Sequence, residues 1–482
     1  MSMYNPVSTY RLQFNRDFTF LQAENIVEYL FELGIKTVYA SPIFSAVSGS
    51  MHGYDVVNPF VVNPEIGTED QLRRLIKKLK ERGIGWIQDI VPNHMAYHTS
   101  NPWIMDIMEK GPLSPYSEVF DNTWSGDFHS GKPMAPFLGD QLEQVVRSGE
   151  ISIVFHQYKM CLHYGDLYLP LNSRSYGGIL AATDMPESVL LFVSQLDELH
   201  RIEDSVQYAF RWHELLLQFA AFMRDIEIAS RVNDILSTIS NDEQQLIDIA
   251  KAQFYRLCHW RETDERINYR RFFLVNGLIC LNMQSEKVFS LYHERIVSYV
   301  KDRLFQGLRI DHIDGLFDPT TYLQRLRKVC GAECYIIVEK ILEQGEHLEK
   351  SWPIQGTTGY EFLSAVNNLF TRSSAENRFS KFYRSLNPEG QDIADRIREK
   401  KQFILDHHMQ GELDNLARYF VEHLYNASED KSEKADFEPR LIRDAIASLM
   451  IELPVYRFYG NELPFDAVEK KTRRGIVEQM HE

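Results

Sequence analysis

The chain has 482 residues, 44% of them hydrophobic and 25% charged, the proportions of a globular protein with room for more than one ordinary domain. Its formal net charge of −16 speaks against nucleic acid and anionic membranes as partners, since both demand basic patches; a neutral substrate such as sugar suits it. No run of about 18 apolar residues is present. Residues 1–14 lack the basic start and apolar core of a signal peptide. The five cysteines, Cys161, Cys258, Cys280, Cys330 and Cys334, form no C-x-x-C pair and no zinc-spaced set, which predicts a cytoplasmic protein.

The first hundred residues alternate strand and helix signals. Residues 7–12 read as a short strand, 20–33 as a helix closing at Gly34, and 37–40 as a second strand. Residues 71–81 form an amphipathic helix stopped at Gly83, and 86–91 a buried strand. This alternation predicts a parallel sheet. From about residue 95 to 183, Pro, Gly, Ser and aromatics mix, as in Ser114-Pro115-Tyr116 and Ser125-Gly126-Asp127, which reads as an inserted subdomain. Residues 187–260 read as mostly helical. Strand-like 269–275 and a helix near 288–304 follow, then two apolar strands that each end in a carboxylate. Gly356-Thr357-Thr358-Gly359-Tyr360 reads as a loop, 374–450 as helical and charged, and 428–433 as a solvated loop.

Those two strands are the most telling segments. Gly307-Leu308-Arg309-Ile310-Asp311-His312 and Tyr335-Ile336-Ile337-Val338-Glu339 place Asp311 and Glu339 28 residues apart, about one βαβ unit. In a parallel barrel that spacing sets both carboxylates at the C-terminal ends of neighbouring strands, the face where active sites lie. Two carboxylates on one rim are the minimum for glycosidic chemistry with retention. Arg309 lies two residues before Asp311, on the same strand face, where its charge is expected to hold Asp311 ionised. A structural ion pair is the alternative. Glu339 ends a run with no other charge, an apolar setting that favours a proton donor. Lys340 is expected to point to the other face. His312 and Asp314 could contact a sugar or cap a turn.

Two further motifs sit at strand ends. Asp89-Ile90-Val91-Pro92-Asn93-His94 supplies a carboxylate, an amide and an imidazole, or simply a polar capped loop. His52-Gly53-Tyr54-Asp55 lies in a Gly/Ser-rich loop, where Tyr54 could stack on a sugar ring and Asp55 pair with a cation. Aromatic content is 12%, which serves sugar platforms and large cores alike.

In this order the segments resemble the signature regions of the α-amylase clan of glycoside hydrolases. Other stretches narrow the resemblance to the maltooligosyl trehalose synthase family: Ser8-Thr9-Tyr10-Arg11-Leu12-Gln13-Phe14, Ala40-Ser41-Pro42-Ile43-Phe44, Gly49-Ser50-Met51-His52-Gly53-Tyr54-Asp55-Val56, Ile267-Asn268-Tyr269-Arg270-Arg271-Phe272-Phe273, Gly356–Tyr360 and Leu453-Pro454-Val455-Tyr456-Arg457. The resemblance runs nearly end to end. It implies an α/β fold of the TIM (β/α)8 barrel type. It also implies isomerisation of the reducing-end α-1,4 bond of a maltooligosaccharide to an α-1,1 bond, without metal or organic cofactor. Asp311 would be the nucleophile and Glu339 the acid/base. Arg309, Asp89, Asn93, His94, His52, Tyr54, Asp55 and His312 would bind substrate, and a lid, for which 95–183 is the candidate, would exclude water.

The resemblance also sets expectations of difference. The family carries a third carboxylate, an Asp directly after a His, well downstream of residues 453–457, and no His-Asp dipeptide follows Glu339 here. Asp430, Asp436 and Asp466 lack that context. The expected organisation is a C-terminally incomplete barrel. Residues 1–94 form its first segment, 95–260 an inserted subdomain and helical region over the mouth, and 261–365 the carboxylate-bearing barrel segment. Residues 366–450 form a helical insertion, and 451–482 the start of a further barrel segment. An open barrel edge predicts self-association or a second polypeptide completing the fold. Leu274-Val275-Asn276-Gly277-Leu278 stands where the family is expected to be acidic.

Overall fold

The computed structural model describes residues 3–121, 131–181, 185–387, 390, 392–427, 438–460, 465 and 467–480. The expectations for 125–127 and 428–433, and Asp430, Asp436 and Asp466, lie outside these residues.

The centre is an all-parallel, six-stranded sheet: β1 (Thr9–Leu12), β2 (Thr37–Ala40), β3 (Gly85–Ile90), β4 (Gly307–Ile310), β5 (Tyr335–Val338) and β6 (Gly356–Thr357). Spatial order equals chain order, as successive right-handed crossovers require in an α/β barrel. β3 is buried along its whole length, the polar Gln88 and Asp89 included, as a central strand of a parallel sheet covered on both faces is. The six strands form the curled parallel sheet of an α/β barrel of the TIM type. Among the described residues β1 and β6 are the two edges and are not paired with each other.

Helix Glu69–Glu81 shows why local sequence suffices in this region. Thr68 and Gln71 form a reciprocal capping box. Glu69 and Asp70 occupy the first turn, Lys78 and Lys80 the last turn, and Leu72, Leu75, Ile76 and Leu79 are buried. The helix expected over 20–33 is two, Phe20–Asn25 and Val27–Glu32. The Ile26 N–H bonds to the Ala23 carbonyl, one residue tighter than an α-helix, while Phe20, Ala23, Val27 and Leu30 stay buried on both sides of the break. After β2 the chain makes an antiparallel pair, Phe44–Ala46 with Val56–Val62, which brings the His52–Asp55 loop beside the sheet. Gly53 turns it at φ +78°, with space for a Cβ closed by the Pro42 carbonyl at 2.8 Å.

Between β3 and β4 lies a long excursion. It contains a three-stranded antiparallel sheet of Ile151–His156, Lys159–Tyr164 and Leu167–Pro170, then helices Glu187–Leu199, Ser205–Phe222, Ile226–Ser240 and Glu243–Lys251. It returns through Val275–Cys280, which pairs with His94–Ala96 just beyond β3. The strand expected at 269–275 is split. Arg271–Phe272 and Val275–Cys280 pair antiparallel around a tight turn at Phe273-Leu274. Gly356–Tyr360, expected as a loop, supplies β6 and then opens helix Tyr360–Asn368. No described helix is long and apolar enough to cross a membrane.

Candidate active site

Sheet register builds the site. Arg309 on β4 sits directly opposite Asp89 on β3 and Ile337 on β5. Side chains at one register level share a face, so Arg309 meets Asp89 laterally and Asp311 along its own strand. Its Nη1 donates to Asp89 Oδ1 at 2.9 Å and to Asp311 Oδ1 at 2.7 Å. Nη2 lies 3.2 Å from Glu339 Oε1. The other Asp89 oxygen accepts from the phenols of Tyr39 and Tyr54, at 2.8 and 2.7 Å. The Glu339 Oε2 atom accepts the backbone N–H of His312 at 2.8 Å. That N–H is aimed by a left-handed backbone at His312, φ +44°.

One guanidinium therefore serves three carboxylates. Burial raises the Asp311 carboxyl; Arg309 opposes this, Asp89 and Glu339 reinforce it, and the group ends at about 7. Asp89, fully buried, is also raised by burial against the pull of Arg309 and the two phenols. Sequence spacing predicts that Arg309 keeps Asp311 ionised. Arg309 does pull that way, but desolvation and two neighbouring carboxylates outweigh a single cation. Arg309 itself loses to burial and gains more from Asp89, Tyr39, Asp311 and Glu339, so it stays charged. The cluster thus retains a proton near neutrality beside a fixed positive charge. His94 is pushed down to about 3 by burial and by the nearby His312, and its ring is neutral.

A cavity of about 770 Å³ opens onto Asp311, Glu339 and Arg309. Of the residues expected to bind substrate, Arg309, His94, His52 and Tyr54 line it. The others stand behind the wall. Asp89 holds Arg309. Asn93 bonds to His94 at 3.2 Å and reaches the Cys280 sulfur at 3.7 Å. Asp55 pairs within its own loop, with Ser50 at 2.5 Å and His52 at 3.7 Å. His312 contributes its backbone. Lys340 turns away from the cluster to Asp314 and Glu346, at 3.3 and 2.7 Å. Arg11, Tyr39, Phe272, Leu278, Thr358 and Tyr360 also line the cavity, and sequence reading misses them. Arg11 and Tyr39 carry a signal: each occupies the third position of a four-residue strand and faces its partner in register. None of the lining residues comes from 95–260. Among the described residues no group of three or more His, Cys, Asp and Glu is placed to hold a metal ion.

The loop carrying His312 is clamped from both sides. Arg270 reaches the Gly315 carbonyl at 2.5 Å and Asp121 at 2.8 Å. Arg457 donates to the carbonyls of Asp314, Leu316 and Phe317, at 3.1, 2.5 and 3.2 Å. Tyr459 bonds to the Asp314 carboxylate. A Cβ at Gly315 would collide with Asn93 Oδ1 and the His312 ring, so only glycine lets the loop pass there. The 267–273 and 453–457 stretches, marked in the sequence by resemblance alone, thus hold the backbone that holds Glu339.

Comparison with known proteins agrees with this geometry. Residues 24–132 match the family described as Alpha amylase, catalytic domain. A Mycobacterium tuberculosis relative named as a maltooligosyl trehalose synthase is 30% identical over 421 residues, covering 86% of this chain and 45% of that protein. The structure of maltooligosyltrehalose synthase from Arthrobacter ramosus matches with TM-score 0.73 and 28% identity, over 99% of this chain and 50% of that one. A Sulfolobus tokodaii structure named as a hypothetical maltooligosyl trehalose synthase matches with TM-score 0.70 and 30% identity, over 99% and 52%. The chain spans about half the length of the relatives it matches. Over most of its residues, in sequence and in fold, the chain is similar to the maltooligosyl trehalose synthases of the α-amylase clan.

Proposed function

We propose that the site isomerises the reducing-end α-1,4 bond of a maltooligosaccharide to an α-1,1 bond, leaving a terminal trehalose unit. The observation that carries this reading is the clamp of Asp311 and Glu339 on one guanidinium, two carboxylates held close together as a retaining double displacement requires. Relatives over most of the chain are named for this activity.

Glu339 protonates the glycosidic oxygen while Asp311 attacks the anomeric carbon. The bond to glucose breaks and a glycosyl–Asp311 ester forms. The freed glucose stays in the cavity and turns. Glu339, now a carboxylate, takes the proton of its anomeric hydroxyl, whose oxygen attacks the anomeric carbon of the glycosyl ester; the α-1,1 bond forms, the bond to Asp311 breaks and its carboxylate is released. Arg309 remains charged throughout and balances whichever carboxylate is ionised. Tyr39 and Tyr54 fix Asp89, which fixes Arg309. His94 and Tyr54 offer a neutral ring and a phenol to the sugar at the cleaved bond.

Incubation of the chain with maltopentaose, followed by NMR for α,α-1,1 linkages and by reducing-end assay, tests the reading. Loss of reducing ends without free glucose supports it. New reducing ends would mean hydrolysis and overturn it. A second reading has one observation in its favour, the edges β1 and β6 left without an outer partner among the described residues: the chain binds maltooligosaccharide and needs a further polypeptide segment for turnover. Binding without any change in linkage would select it.

A further inference from the structure

Non-glycine residues in the left-handed region are uncommon, and a bulky one there is a strained one. Two such residues touch next to Phe272, which is part of the cavity wall. Phe273 has φ +48° and His312 φ +44°, and their rings lie 5.1 Å apart. Phe272 joins them. It lines the cavity and packs its ring on His94 at 4.5 Å, on Phe273 at 4.4 Å and edge-on to His312 at 5.0 Å. The turn is anchored from behind. Arg271, its side chain buried, donates to Glu412 at 2.8 Å, to the side chain of Asn276 at 2.7 Å and to the His408 carbonyl at 2.7 Å.

A turn built only to reverse the chain would take glycine or asparagine at this backbone angle without strain. Here the position holds a phenylalanine that is 53% exposed, so burial does not account for it. Its ring stands beside the residue whose N–H holds Glu339 and against Phe272, which lines the cavity. Aromatic faces suit the apolar faces of sugar rings and exclude water from what they cover.

We propose that Phe273 is the aromatic lip of the acceptor site, a specificity-determining residue that keeps the freed glucose against the carboxylate pair and keeps water away. The proposal rests on the isomerase reading above. The glycosyl–Asp311 ester has two fates, attack by glucose and attack by water. The lip sets their ratio, and that ratio does not depend on how much folded enzyme a preparation contains.

The test compares Phe273→Ala, Phe273→Gly and Phe273→Tyr with the parent chain on maltopentaose, reading α-1,1 isomer against glucose plus maltotetraose. We expect hydrolysis relative to isomerisation to rise roughly tenfold, worth one factor of ten in relative barrier, in both the Ala and Gly variants. Tyr, which keeps the ring, should restore the parent ratio. Equal ratios in all four proteins would overturn the lip. So would a change in Ala that Gly reverses, since that would trace to backbone strain rather than to the ring. If the parent chain makes no α-1,1 product, the isomerase reading fails by itself. The lip is then read by calorimetric titration of maltopentaose into Asp311→Asn with and without Phe273→Ala. Roughly tenfold weaker binding supports it and unchanged affinity overturns it.

Discussion

The sheet end that carries the carboxylates and the helices that follow β6 obey opposite rules. Around Arg309 both terminal guanidinium nitrogens and both Asp89 oxygens are matched, and the partners come from β2, β3, the residues closing β4 and β5, and the 52–55 loop. Helices Tyr360–Asn368 and Glu376–Leu386 bury no residue, and Ile393–His408 buries only Leu405. Yet they are patterned like helices that face a core: Phe379, Phe382 and Leu386 fall three and four residues apart and are 72%, 61% and 69% exposed. Binary pattern prescribes a face for burial, but only a neighbouring element can turn it into stability. The contrast predicts that single changes in the hub will be costly and single changes on the helix face will not.

The largest effect is expected from Arg309→Ala. It leaves Asp89 buried with only the two phenols and removes the cation from Asp311 and Glu339. Breaking a buried ion pair from one side costs about 3–5 kcal/mol, and turnover should fall below detection. Chemical denaturation with a maltopentaose assay reads both. Arg309→Lys should recover little, because a single ammonium cannot donate to Asp89, Asp311 and Glu339 in one geometry.

Asp311→Asn should separate stability from activity. Turnover falls by more than about a thousandfold, as loss of a nucleophile does, while the fold gains. The carboxyl is raised from 3.8 to about 7 in the folded chain. Between those values the folded state binds a proton that the unfolded state has released, so stability falls as pH rises through the window. Asn has no such dependence. The variant should match the parent below about pH 4 and exceed it by about 2–4 kcal/mol above pH 7. A parallel denaturation series over pH 4–8 with no widening gap would contradict a raised Asp311. In the parent chain kcat/KM should rise with pH through about 7, since Asp311 attacks only when ionised.

The hub is legible in sequence because its carboxylates fall at or near strand ends. Asp311 and Glu339 directly follow β4 and β5, Asp89 is the penultimate residue of β3, and β2 falls at 37–40 as its β-branched pattern predicts. What sequence leaves out depends on partners distant in the chain. β6 is two residues, Gly356 and Thr357, with no β-branched run; it is a strand only because Ile337 and Val338 lie beside it. The pairing around Phe44–Ala46 escapes sequence reading for a similar reason, since its register shifts twice and breaks the period of two. Asn93 and Asp55 resemble ligands because polar residues after a strand usually face solvent. The close passage of Gly315 under Asn93 and the Ser50 partner of Asp55 are tertiary facts.

Tyr54→Phe probes the hub more gently. It deletes one of the two phenols on Asp89 and leaves Tyr39 and Arg309 in place. A hydrogen bond to a buried charge contributes about 1.5–3 kcal/mol. The loss should appear in denaturation and, because Tyr54 also lines the cavity, as a rise in KM. A change in kcat alone, with KM and stability intact, would place Tyr54 outside both roles.

The smallest effect should come from the helix face, and its smallness tests the contrast directly. Phe382→Ser removes a large aromatic side chain, but one that is already 61% exposed. Little apolar area returns to water on unfolding, so stability should stay within about 0.5 kcal/mol. Leu75→Ala removes fewer atoms from a site with 1% exposure and should cost about 2–5 kcal/mol through lost transfer energy and the cavity left behind. If Phe382→Ser proved as costly as Leu75→Ala, the 376–386 face would be covered in solution. Its patterning would then record a packed surface, and the difference between the two regions would be one of missing neighbours rather than of architecture.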